Sequence, residues 1–300
     1  MNTTQSAPHL MLGDVEVIRV VEWRGAFAPA RHLVPDADDA VWRDNESWLA
    51  PDHWDPATDH AVMALQTWVL RSAGRTVLID TGVGNGRERP GSPQFHHWQG
   101  DFLGGLARAG IQPEDVDIVV NTHIHADHVG WNTTASDGEW IPTFPRAQYL
   151  VPAADDAFYG PGNIHGPGRR EDDRYVYEDS IAPVHHAGQT VLWDGAYRID
   201  EHLTLESAPG HTPGSAILRV ASGGDRAAFV GDLLHSPVQI LRPSCNSCFC
   251  LDAAAAGTSR RRVLERAATE RELVVPAHFN GTGIAEVRRD TGTLTVGRWH

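Results

Sequence analysis

The chain has 300 residues, of which 41% are hydrophobic, enough for one large domain or two small ones with a substantial buried core. A formal net charge of −14 excludes the clustered Lys and Arg surface that a nucleic-acid binder or a polybasic membrane anchor needs. No apolar stretch approaches the ~20 residues that span a bilayer, and residues 1–12 lack the basic and apolar regions of a signal peptide, so a cytoplasmic protein is expected.

Residues 1–13 read as a loose tail. The β-branched run 15–23 predicts a first strand. From residue 25 to about 60 the composition shifts to Pro, Asp, His and Trp without a clean period, and Trp42, Trp48 and Trp54 stand six apart. That spacing is neither helical nor strand-like, so the segment is expected to be a lid or a dimer contact, with plain packing on the surface as the alternative. Two apolar runs, 63–70 and 76–79, flank Ser72-Ala73-Gly74-Arg75 and predict a β-hairpin. The second run ends in Asp80-Thr81-Gly82-Val83-Gly84. That loop matches neither a P-loop nor GxGxxG followed by a helix, so Asp80 reads as a buried, loop-fixing carboxylate.

Phe102, Leu103, Leu106 and Ala107 recur at helical spacing before Gly110 and Pro113. Residues 116–120 form an apolar run that reads as a buried strand, and 147–151 give another. Residues 153–189 are polar and irregular, with at most short helices. Further short strands are expected at 190–193, 203–205, 216–220, 227–230 and 273–275. A helical stripe at Val263, Leu264 and Ala267 has Ser259 as its candidate N-cap, and Arg260-Arg261-Arg262 within it reads as a solvated face. A hairpin around Asp290-Thr291-Gly292 closes the chain.

The two halves share a plan of hairpins, a helix and an apolar strand ending in His, at Val120-Asn121-Thr122-His123 and at Val275-Pro276-Ala277-His278. That plan predicts two packed sheets with outer helices, one single domain over 1–300, and a site between the halves. The three cysteines, Cys245, Cys248 and Cys250, crowd into six residues and make a poor disulfide framework. They read as a reduced loop packed near the surface, because no second Cys pair completes a tetrahedral zinc site, with partial burial beside the substrate pocket as the alternative.

The stretch Thr122-His123-Ile124-His125-Ala126-Asp127-His128-Val129-Gly130 carries the chemistry. Three imidazoles and a carboxylate crowd the end of one strand, which is hard to explain without a metal. More candidates stand at other strand ends: His211 in Gly210-His211-Thr212-Pro213-Gly214, Asp232 after Gly231, and His278 after Ala277. Any one of these taken alone is more often a hydrogen-bonded loop residue than a ligand. Their joint order and spacing are what count.

That order, His-x-His-x-Asp-His, then Gly-His-Thr-Pro-Gly, Gly-Asp and Ala-His, resembles the metallo-β-lactamase-fold hydrolases over nearly the whole chain. The stretch 231–239 and the aromatic N-terminal segment are most similar to the branch of N-acyl-homoserine lactonases and methyl-parathion-type hydrolases. The resemblance implies an αββα fold, an α+β sandwich of two mixed β-sheets flanked by helices. It implies that His123, His125 and His211 hold one metal, that Asp127, His128 and His278 hold a second, and that Asp232 bridges both. Zinc suits this set of nitrogen and carboxylate donors, and iron, manganese or cobalt also fit. Two such metals lower the pKa of bound water from ~15.7 toward ~7 and clamp a developing oxyanion.

The implied function is hydrolysis of a small-molecule lactone or ester by a metal-bridging hydroxide, with Asp127 as ligand and proton-accepting carboxylate. Asp80, His235 and Phe279 are candidates to support the ligands or touch substrate, His235 being equally a buried structural histidine. His165, His185 and His186 read as surface or rim residues. The lactonases use a substrate-orienting Tyr, and none of the five tyrosines here can be matched to it. Alternatives on the same motifs are a phosphotriester or phosphodiester hydrolase and a mononuclear iron enzyme like the persulfide dioxygenases. The partner is a small molecule, with neither nucleic acid nor membrane expected, and the Trp-rich segment together with the resemblance points to a homodimer.

Overall fold

The computed structural model describes residues 9–300. The chain divides into two compact units. One comprises the residues up to Trp23, Leu65–Asp194 and Asp200–His202, and the other Arg24–Ala64, Gly195–Ile199 and Leu203–His300. Among the described residues no helix is long and apolar enough to cross a membrane.

The first sheet contains β1 (His9–Leu12), β2 (Val15–Pro29), β3 (Trp54–Asp55), β4 (His60–Ser72), β5 (Arg75–Ile79) and β6 (Ile118–Val120). A small hairpin, β7 (Thr133–Ser136) with β8 (Glu139–Pro142), stands apart from it, and β9 (Gln148–Pro152) and β10 (Thr190–Trp193) complete it. The order is β1-β2-β4-β5-β6-β9-β10, with β3 on β4. β4 and β5 are the expected hairpin, closed by Ala73 and Gly74 at φ 48° and 75°. Two successive left-handed residues are what a tight hairpin turn on twisted strands requires.

β5, β6 and β9 are parallel neighbours. Strands buried on both faces read as unbroken apolar runs, as Ile118-Val119-Val120 does. Because the strands are parallel, the loops after β5 and β6 and the helix Ala153–Tyr159 after β9 all leave from the same edge of the sheet. Chain segments at the carboxyl ends of parallel strands are where such sheets build sites. The core beneath includes Val69, Leu78, Val119, Ile124, Val129, Trp131 and Tyr149.

The second sheet runs in sequence order through β11 (Ala196–Arg198), β12 (Leu203–Ser207), β13 (Ala216–Ser222), β14 (Asp225–Gly231), β15 (Leu273–Pro276), β16 (Ala285–Asp290) and β17 (Thr293–Trp299). All its neighbours are antiparallel except β14 and β15, which the helix Ala253–Glu270 connects. Both sheets are therefore mixed and accompanied by helices, the expected fold class. Asp232 and His278 follow the carboxyl ends of the parallel pair β14 and β15, repeating the arrangement after β5 and β6.

Several expectations need correction. Of the expected tail, residues 1–8 lie outside the described residues, but His9–Leu12 form β1 against Val15–Ile18. The late helix begins at Ala253, well before Ser259. Asp252 caps it by accepting from Ala255 N at 2.9 Å, and the run Ala253–Ala256 has the propensity to extend it. Ser259 lies inside the helix and donates to the Pro209 carbonyl. Arg260 is buried, not solvated, and donates to the carbonyls of Leu233, Pro243 and Cys245. Its role was hidden because a basic triplet reads as one exposed face, although one helical position in three points inward.

The segment 25–60 holds short helices at Ala30–Leu33, Asp39–Arg43 and Glu46–Leu49. Trp42 and Trp54 are buried in a cluster with Leu33, Val41, Leu49, Met63, Val238 and Cys245. Residues 173–186 are helical throughout, through Asp173–Val176, Tyr177–Ile181 and Ala182–His186.

Candidate metal centre

The first unit supplies His123, His125, Asp127 and His128 from the loop after β6 and the single turn Ala126–Val129. His123 Nε2 and His125 Nδ1 are 3.0 Å apart, the rings of His123 and His128 are 4.0 Å apart at their centroids, and His128 Nε2 is 3.8 Å from Asp127 Oδ1. His123 and His128 are buried, whereas His125 and Asp127 are partly exposed.

Asp80 organises this loop from the end of β5. Its Oδ1 accepts the Thr122 N–H at 2.8 Å, and its Oδ2 accepts both the Thr122 hydroxyl and His128 Nδ1, each at 2.8 Å. Asp80 itself adopts φ 58°, the left-handed region that Asp tolerates better than most residues. Below the loop, Asn121 and Asn132 exchange amide hydrogen bonds, and Asp155 Oδ2 accepts Ile124 N–H at 2.9 Å.

The second unit supplies His211, Asp232, His235 and His278. Asp232 Oδ2 lies 3.3 Å from His211 Nε2 and 3.1 Å from His235 Nε2, and its Oδ1 lies 2.9 Å from His278 Nε2. All four residues are buried. Burial lowers the His211 pKa, but the Asp232 carboxylate and the Cys250 thiol outweigh it and raise the group to about 9. His235 goes the other way: burial pushes it down to about 4, against the pull of Asp232 and with help from His211 and His278. It is therefore a neutral imidazole, with Nε2–H on the carboxylate and a buried Nδ1 that has no hydrogen-bond partner.

The hydrogen bonds decide whether these residues suit a metal. His278 Nδ1 faces the Ala64 carbonyl at 3.1 Å, and a carbonyl only accepts, so Nδ1 carries the proton. The lone pair is then on Nε2, which faces Asp232 Oδ1. Two acceptors 2.9 Å apart need a cation or a proton between them. His128 repeats this, since Nδ1–H goes to Asp80 and leaves the Nε2 lone pair on the side of Asp127. In His123, Nδ1 lies 3.1 Å from Thr122 Oγ1, whose own hydrogen goes to Asp80, so Nδ1 carries the proton and the lone pair is again on Nε2. Metal-binding histidines are held this way, by an acceptor on the nitrogen that faces away from the metal. The residues fit a borderline-soft divalent cation.

The other expected residues are placed as follows. Phe279 is buried beside His53, edge-on at 5.6 Å, and its backbone bridges to Met63. His165 and His186 are exposed, and His185 bonds Asp156 at 2.8 Å. Cys245 is buried and its thiol meets the Asp36 carbonyl, whereas Cys248 is exposed.

Four residues escaped the sequence reading. Cys250 carries no role in the ligand motifs, and its thiol hydrogen-bonds His211. Burial raises the thiol, but His211 and Ser247 hold it below its ordinary value. Tyr159 places its hydroxyl 3.0 Å from His125 Nε2. Glu22 accepts from Val83 N and Trp131 Nε1 at 2.9 and 2.8 Å, on either side of the histidine motif in sequence. Asp155 grips Ile124. None of the four stands near the ligand motifs in the chain, so only the folded structure brings Tyr159, Glu22 and Asp155 to the loop.

Comparison with known proteins gives a match to the metallo-beta-lactamase superfamily over residues 62–278. Among solved structures the chain is similar to the hydrolase AbOPH of the beta lactamase superfamily, with a TM-score of 0.79 and 21% identity over 100% of this chain and 99% of that one. It is also similar to AidC, a dizinc quorum-quenching lactonase in complex with a product N-hexnoyl-L-homoserine, with a TM-score of 0.78 and 19% identity over 98% of each chain. A probable metal-dependent hydrolase from Staphylococcus aureus follows, with a TM-score of 0.75 and 16% identity over 96% of this chain and 98% of that one. The match spans both strand-end histidine motifs, and the chain belongs to the metallo-beta-lactamase superfamily, and so to the metal-dependent hydrolases of that fold.

Proposed function

We propose that this protein is a dinuclear hydrolase that opens a lactone or ester of a small molecule. In this reading His123, His125 and His211 are assigned to one metal, Asp127, His128 and His278 to a second, and Asp232 to both. The observation that carries the reading is the placement of the Asp232 carboxylate, with His211 at one oxygen and His278 at the other. A carboxylate addressed on its two oxygens by imidazoles assigned to different metals is suited to bridging. Zinc is the natural occupant, and it is also what the AidC name states for that protein.

Bound divalent metals supply Lewis acidity and water acidified toward neutrality. The chain's own residues supply the rest. Asp80 holds His128, and through Thr122 it holds His123, each with its lone pair directed away from the carboxylate. His235 donates to Asp232 and fixes the carboxylate plane. Asp127 is partly exposed, so it can take a proton from water and pass it to solvent as the carbonyl is attacked.

The test is a hydrolysis screen of the zinc-loaded protein over N-acyl-homoserine lactones, simple lactones, aryl esters and phosphotriesters. Turnover of lactones or carboxylic esters above the other classes supports the reading. Preferential phosphotriester hydrolysis, or turnover that survives complete metal removal, contradicts it.

A further inference from the structure

The three imidazoles of the motif after β6, His123, His125 and His128, do not present the same nitrogen. His123 and His128 carry the lone pair on Nε2, each with an acceptor behind Nδ1. His125 is reversed: its Nδ1 faces His123 Nε2 at 3.0 Å, and its Nε2 faces the Tyr159 hydroxyl at 3.0 Å. A neutral imidazole has only one lone pair, so His125 can bind a metal through Nδ1 only if Nε2 carries the proton. The phenol oxygen of Tyr159 stands in place to accept that proton.

We infer that Tyr159 is the positioning residue of His125, its hydroxyl oxygen fixing the Nε2–H form and thereby turning Nδ1 toward the metal. This rests on the metal reading above. It extends that reading to a residue outside every ligand motif.

The geometry around Tyr159 is built for a fixed hydroxyl. Tyr159 ends the helix Ala153–Tyr159, and Asp155 stands four residues before it. Residues i and i+4 share one helix face. From that face Asp155 accepts the Ile124 N–H while Tyr159 meets the ring of His125, so one helix fixes both the backbone before His125 and its side chain. Asp155 and Tyr159 are 0% and 2% exposed. The two rings meet nearly edge to face, at 76° and 5.9 Å. The Arg169 guanidinium lies over the Tyr159 ring at 5.4 Å and is itself held by the Phe158 and Asn163 carbonyls. A ring packed on this many sides cannot swing its hydroxyl away from His125.

Tyr159→Phe removes one oxygen and keeps the packed ring, so it tests the hydroxyl and not the fold. Zinc affinity is measured by competition with a chromophoric chelator, alongside long-range proton–nitrogen spectra of the histidine-labelled, zinc-loaded protein and thermal unfolding of the metal-free form. The expected result is zinc binding weakened by about 10-fold or more, the scale set by losing such a partner. One imidazole with Nδ1 on the metal should lose its hydrogen-bonded Nε2–H signature, with metal-free unfolding little changed.

Should the variant fail to fold, Arg169→Gln serves instead. It frees the ring but keeps the hydroxyl, and it should weaken zinc binding less and leave an Nε2–H imidazole. Wild-type zinc affinity and an unaltered histidine spectrum in Tyr159→Phe overturn this inference while leaving the metal reading intact. A wild-type protein that binds no zinc overturns both.

Discussion

His128 Nδ1 donates to Asp80 Oδ2 at 2.8 Å, and the same oxygen accepts the Thr122 hydroxyl at 2.8 Å, so one carboxylate oxygen governs two imidazoles. Asp80 leaves the end of β5 and the histidine motif leaves the end of β6. The carboxylate therefore converts a parallel strand pairing into the orientation of donor atoms. Asp80→Asn keeps the size but replaces one acceptor oxygen with a donor. We expect metal affinity to fall about 10- to 100-fold, the range for partners of metal-bound histidines. Competition against a chelator measures it, and an unchanged affinity would remove Asp80 from the account.

Asp232→Ala should lose much of the metal content and nearly all hydrolysis, because both carboxylate oxygens face imidazoles. Elemental analysis per chain together with initial rates checks this. Full activity with a full metal complement would refute the shared role of Asp232.

Glu22 gives a pH dependence with a definite sign. Burial raises its pKa above the ordinary 4.5, opposed by the hydrogen bonds from Val83 and Trp131. The folded state therefore binds the proton more tightly than the unfolded state. Its contribution to stability is complete below about pH 4.5 and falls as pH rises through the folded value. Denaturant unfolding of the metal-free protein should show stability falling over that window, and Glu22→Gln should flatten it. An unchanged slope in the variant would assign the dependence to another group.

Trp42→Ala tests whether the segment 25–60 is anchored. Trp42 is 0% exposed, packs on Trp54 at 5.8 Å and carries the Arg31 guanidinium at 5.0 Å. Emptying such a site costs about 3–5 kcal/mol. Chemical denaturation reads the loss, and a change under about 1 kcal/mol, the scale of an ordinary surface substitution, would mean that the segment is not part of the packed unit.

Much of the fold was legible because its strands are short apolar runs between turn residues, as at Ile118-Val119-Val120 and at the hairpin turn Ala73-Gly74. Ends and exceptions were not. His9–Leu12 pair locally across Gly13 and Asp14 without a strong apolar pattern. The helix start at Asp252 was masked because Ser259 is also an acceptable cap. The seven ligand candidates were legible because each follows a strand end within a short motif. Of the partners behind them, Asp80 and His235 were legible, the first at a strand end itself and the second three residues after Asp232. Tyr159 and Cys250 reach the histidines through a helix face and an irregular loop, and no local spacing encodes those contacts.

We propose that hydrolysis depends on two metals held by these histidines and carboxylates. The measurement is a zinc titration of chelator-stripped protein, with bound metal and lactone hydrolysis followed together. The rate should rise until two zinc ions are bound per chain and then level. Full hydrolysis without metal, or a rate complete at one ion per chain, would contradict it.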